Sequence, residues 1–158
     1  MHIWTIPNWQ KYYNSDRRAG LRFVFDKDVD PEVRRACKEF GVWLRKEYYF
    51  PIRVPVYVKS HYRIKARDGE IVTGACFQPH EREEEPYIRI AAGDYIDLIN
   101  KKGKDNALGA MLGTIAHELT HYFQWINDIE LTEIGVERQA KAYEDFIIDE
   151  YKDTREHP

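Results

Sequence analysis

The sequence predicts an α+β domain, and three observations predict it. Runs of β-favouring residues fall within the first hundred positions, one amphipathic helix interrupts them, and two long helical patterns follow. With 158 residues and 43% hydrophobic composition, the chain is the size of one domain, 1–158, with enough apolar surface for a core.

Residues 1–20 read as an N-terminal extension, in which Trp4, Trp9, Tyr12 and Tyr13 form an aromatic cluster suited to packing over a sheet. "LRFVFD" (Leu21 to Asp26) reads as a strand. "DPEVRRACKEFGVWLRKEYY" reads as a helix: Asp30 suits the N-cap, Pro31 the first turn, and Val33, Cys37, Phe40, Leu44 and Tyr48 recur at helical spacing. "RVPVYV" (Arg53 to Val58) is a second strand, which Pro55 assigns to an edge or bulge because proline cannot donate to a ladder. "YRIKARDGEIVTGACF" reads as a hairpin turning at Asp68-Gly69. A charged loop, His80 to Glu85, leads to the strand "YIRIAAGDY" (Tyr87 to Tyr95). The next element is a long helix over residues 106–125. Beyond a turn at Asn127-Asp128, Thr132 caps a final helix over 132–151, with Val136, Ala140, Tyr143 and Ile147 on one side.

Charged residues are 32% of the chain but nearly cancel, to a net −3. Lys and Arg are scattered among acids, so no basic face for nucleic acid is expected. No apolar run approaches a membrane span. The N-terminus shows no basic region leading into an apolar one, and the two cysteines, Cys37 and Cys76, lack CxxC spacing. The expected setting is the reducing cytoplasm; the oligomeric state is left open.

"TIAHELTHYFQW", Thr114 to Trp125, carries the chemistry. Residues four apart share a helix face, so His117 and His121 can reach one zinc ion without distorting the backbone. Glu118 lies about 100° further round, placed to act as general base on a zinc-bound water rather than as a ligand. The competing reading is an exposed helix with two solvated histidines. Against it, Ile115, Leu119, Tyr122 and Phe123 surround the motif, and burying His117, Glu118 and His121 without partners would cost several kcal/mol, roughly.

A catalytic zinc site takes three protein ligands plus water. The candidates for the third are Glu130, Glu133, Glu137, Glu144 and His157. Glu137 is preferred: it lies one turn into a helix that must fold back on the active helix, and small Ala140 beside it permits close approach. Glu133, one turn earlier on the same face, is the competitor. The expected cofactor is one Zn²⁺ per chain.

"HELTH" and "ERQA" resemble the HExxH zinc metallopeptidases, the zincins, and more narrowly the gluzincins, in which a glutamate on a following helix completes the metal site. The small size is similar to that of minimal single-domain gluzincins. The resemblance implies a zincin-like half-domain, with a small mixed sheet whose edge strand lies beside the active-site helix, plus a C-terminal helix. It implies His117, His121 and Glu137 as ligands, Glu118 as base and proton shuttle, and a peptide or protein substrate. Many gluzincins carry an acid four residues after the glutamate ligand, where this chain has Lys141; Glu144 or Asp145 is then the substitute that would hold the first histidine. For the transition-state His or Tyr the candidates are Tyr143, Tyr122 and His80.

Ala91, Ala92 and Gly93 leave room either for a peptide added to a sheet edge or for a close helix–strand contact. Glu81, Glu83, Glu84 and Glu85 read as a solvated loop, with cleft lining as the lesser alternative. The segment from Asp149 to His157 is a candidate for docking into the cleft and quenching it. The functional expectation is a zinc-dependent endopeptidase; the alternative is a non-catalytic zinc-binding or regulatory protein on the same fold.

Overall fold

β-Branched and aromatic runs build a four-stranded sheet from β1 (Leu21–Phe25), β2 (Val54–Lys59), β5 (Gly74–Phe77) and β6 (Tyr87–Ala91), in the computed structural model of the chain. The described residues are 1–13 and 16–158; Asn14 and Ser15, in the predicted extension, lie outside them. The spatial order is β1-β2-β6-β5, with β1, β2 and β6 parallel and β5 antiparallel to β6. Between β2 and β5, β3 (Ile64–Lys65) and β4 (Ile71–Val72) form a separate short hairpin. Its turn holds Asp68 and Gly69, as predicted; Gly69 takes φ +89°, a conformation suited to glycine.

Among the described residues four α-helices accompany the sheet: α1 (Pro31–Glu47), α2 (Tyr95–Lys102), α3 (Lys104–Ile126) and α4 (Glu133–Lys152). Asp30 caps α1 by accepting from the Glu32 N–H, and Val33, Ala36, Cys37, Phe40, Gly41 and Leu44 make its buried face. Tyr48 lies just past the helix, extended, with its N–H returned to the Leu44 carbonyl. The alternation of β2 puts Val54, Val56 and Val58 into the core and Tyr57 on the outer face. Along α3, Leu108, Leu112, Ile115, Leu119, Tyr122 and Ile126 are essentially inaccessible, a stripe at helical spacing that seats the helix against the rest of the core.

Several expectations are corrected. β2 is interior, not an edge. Its pairing with β6 begins at Val56, one residue beyond Pro55, while the neighbouring Val54 N–H donates to Gly20 on the β1 side, so the proline displaces no ladder donor. The Tyr87–Tyr95 strand stops at Ala91, and α2 begins at Tyr95. β6 too is interior, flanked by β2 and β5, so Ala91, Ala92 and Gly93 do not form a peptide-accepting edge. Gly93 instead sits against the chain leaving β2: a Cβ there would lie 2.4 Å from the Ser60 carbonyl oxygen.

The N-terminal segment belongs to the core. Ile3 and Trp4 are buried, Trp4 stacks on Phe123 with centroids 4.8 Å apart, and its indole N–H donates to Thr120 at 3.1 Å. The aromatic cluster thus braces α3 rather than covering the sheet. The C-terminal segment lies far from the motif: His157 meets Asp105 at the start of α3, Arg155 meets Glu39, and Arg35 donates to the Pro158 carbonyl. Asp105 and His117 are about 18 Å apart along the helix axis. That placement overturns the quenching-tail expectation. Among the described residues no helix is long and apolar enough to cross a membrane.

Candidate metal centre

α3 and α4 run side by side, and the turn between them fixes which residues meet. Asn127 donates from Nδ2 to Phe123 and Ile3 carbonyls and accepts from the Trp9 N–H, while Asp128 takes φ +53°. Thr132 then caps α4, its hydroxyl accepting from Gly135 N–H at 3.1 Å. Ala140, fully buried, stands where the two helices approach.

This arrangement brings together His117, His121 and Glu137, whose candidate ligand atoms all lie within 4.8 Å of one another. Nε2 of His117 is 3.1 Å from one Glu137 oxygen, and Nε2 of His121 is 3.0 Å from the other. Ligands at about 2.05 Å in a tetrahedral shell stand about 3.3 Å apart. The donor set and its spacing therefore fit a zinc ion. Glu133 lines the same cleft without joining the cluster. His157 is at the far end of α3, as described.

The remaining ring nitrogens are also engaged. His117 donates from Nδ1 to Glu144 at 3.0 Å, and His121 donates from Nδ1 to the Gln124 side-chain carbonyl at 2.8 Å. Protons held at Nδ1 leave the Nε2 lone pairs for a cation. Glu144 thus fills the place of the acid missing at Lys141, and Lys141 itself pairs with Glu144 at 3.0 Å and with Asp145 at 3.4 Å. Gly113 makes room for it, since a Cβ there would stand 3.2 Å from a Glu144 oxygen.

Gln124 is the residue that sequence reasoning missed. It is buried, and its Nε2 donates to the Val136 carbonyl and to Gln139, tying the histidine's partner to the helix that carries Glu137. The available signal was spacing: Gln124 is seven residues from His117, on the same helix face.

Glu118 is 7% exposed and lies beside β5. Burial, assisted by the Glu137 and Glu144 carboxylates and opposed by His117 and by the hydrogen bond from the Cys76 backbone N–H, pushes its pKa up to about 7. Burial likewise lowers the pKa of His121. Gly74 permits the contact between β5 and α3, for a Cβ there would stand 2.6 Å from the Thr114 methyl and 3.3 Å from Glu118 Cγ.

β5 is the edge strand beside the helix. The Ala91 N–H donates to the Thr73 carbonyl, and the Gly74–Ile90 register then turns the backbone groups of Ala75 and Phe77 towards β6. Gly74 and Cys76 face the open side, where both line a cleft of about 1040 Å³ shared with His117, Glu118, His121 and Glu137.

None of the three transition-state candidates lines that cleft. Tyr122 is buried, exchanging hydrogen bonds with the backbone of Ile52. Tyr143 clamps the N-terminal segment, donating to the Met1 carbonyl and accepting from the Ile3 N–H. His80 is exposed on its loop. The Glu81–Glu85 run is also elsewhere, with Glu85 paired to Arg18 at 2.8 Å. Comparison of the chain with protein-family models, curated proteins and solved structures gives no match.

Proposed function

We propose that the protein is a zinc-dependent metallopeptidase, an endopeptidase whose ligands are His117, His121 and Glu137 and whose general base is Glu118. One observation carries this reading: two imidazole Nε2 atoms meet both oxygens of one carboxylate, with a separate buried carboxylate beside them in the same cleft. Three protein ligands leave a coordination position open, the pattern of catalytic rather than structural zinc.

A bound zinc ion supplies Lewis-acid polarisation of the scissile carbonyl and acidification of its water. Glu118 accepts the proton from the attacking water and passes it to the leaving amine. Its raised pKa, near neutrality, suits a group that must both take and return a proton. Glu144 and Gln124 hold the two imidazoles in their ligand tautomer. The outward backbone groups of Gly74 and the outward carbonyl of Cys76, whose N–H meets Glu118, offer a short edge along which an extended peptide can lie.

The test pairs metal analysis with digestion of a peptide library. Wild type is expected to hold one zinc per chain and cleave; Glu118→Gln is expected to retain the zinc and lose turnover by about 10²–10⁴-fold. Cleavage that persists unchanged in Glu118→Gln would refute the assigned base. The absence of Tyr122, Tyr143 and His80 from the cleft favours the second reading, a zinc-binding protein that cleaves nothing. Zinc retention without cleavage by either form would establish it.

A further inference from the structure

The cleft's charge bears on what it would cleave, an inference that rests on the peptidase reading. Six carboxylates line it: Asp68 and Glu70 from the β3–β4 hairpin, Glu118 from α3, and Glu133, Glu137 and Glu144 from α4. No Lys or Arg lines it. A divalent cation, Lys141 paired to Glu144 and Arg67 at the Gln78 carbonyl together offset only part of this charge, so the potential between the two walls stays negative. The excess is spread along the cleft: among the described residues, only His117, His121 and Glu137 converge closely enough to share an ion. Asp68, Glu70 and Glu133 are therefore placed for separate cationic groups rather than for a second metal. Ala66, Val72, Leu131 and Val136 line the same cleft. Such a lining, apolar with carboxylates at intervals, matches Lys and Arg, whose aliphatic stems lie on apolar surface while the charged head reaches an anion.

We infer that the substrate is a polypeptide carrying Lys or Arg close to the scissile bond, its cationic side chains received by Asp68 and Glu70 on one wall and Glu133 on the other. Glutamate-rich peptides are rejected by the same field.

The test uses zinc-loaded full-length protein and quenched fluorescent peptides that differ only in having Lys, Leu or Glu at positions flanking the cleaved bond. kcat/KM is expected to favour Lys over Glu by about tenfold at low ionic strength, with the ratio shrinking as salt rises. In Asp68→Lys/Glu70→Lys the Lys-to-Glu ratio should fall or invert; Glu133→Lys provides a second, separate variant, and circular dichroism verifies that each is folded. A parallel arm measures anisotropy of labelled Lys-rich and Glu-rich peptides on zinc-loaded Glu118→Gln, which reports binding without cleavage. Equal turnover of Lys and Glu peptides, lost in Glu118→Gln, would overturn the charge inference and leave the peptidase reading standing. Salt-sensitive binding of Lys-rich peptides with no turnover in wild type would do the reverse. Absence of both selective turnover and selective binding would overturn the inference.

Discussion

His121 donates to Gln124, and Gln124 donates on to Val136 and Gln139, so one amide sets the tautomer of a candidate ligand and the position of the helix bearing another. Gln124→Leu preserves bulk and removes the acceptor; zinc affinity, measured by competition with a chromogenic chelator, should fall about 10–100-fold. Gly93→Ala serves as a contrasting variant, because its methyl would run into the Ser60 carbonyl without touching the metal cluster. It should lower stability by about 1–3 kcal/mol, read as a reduced urea midpoint, with zinc stoichiometry unaltered. At this scale the candidate ligands were legible because helical periodicity is local: His117 and His121 share a face wherever the helix goes. Glu137 needed one further step, that the next helix folds back. Gln124 was hidden because an amide in an apolar run looks like any other polar interruption until its partners are in place.

Caps declared the helices better than the strands declared their neighbours. Asp30 and Thr132 sit at their helix starts and accept from Glu32 and Gly135 N–H groups. Thr132→Ala should cost about 1 kcal/mol in thermal or denaturant unfolding, and because Glu137 lies in the second turn of that helix, zinc affinity should fall with it. Strand order is set by contacts distant in sequence, which explains two misplacements. Pro55 suggested an edge, yet its missing N–H falls just before the β6 ladder begins. The small residues ending β6 suggested an edge, yet the edge beside α3 is the antiparallel β5. α2 was missed because its eight residues begin only a short turn after the strand and open with Tyr-Ile, a β-favouring pair.

The fold of the whole chain is tied at points the sequence could not disclose. Asp26, at the end of β1, accepts from the Ser60 N–H at 2.9 Å and from Lys59 at 3.0 Å, joining two parallel strands at one end. The backbone donor of Ser60, followed by Lys59, holds its carboxyl below the ordinary carboxylate range. A lowered folded-state pKa means that this stabilisation is present above the unfolded value and is lost as pH falls through the folded one. The melting temperature of wild type should therefore drop between about pH 5 and pH 3 more steeply than that of Asp26→Asn. Residues 1–20 looked like an appendage, yet Trp4 reaches Thr120, the residue immediately before His121, from outside the cleft. A proteinase that clipped the first four residues would therefore loosen the candidate metal centre at a distance, without entering the cleft; chelator competition on the zinc-loaded, shortened chain should register the leak.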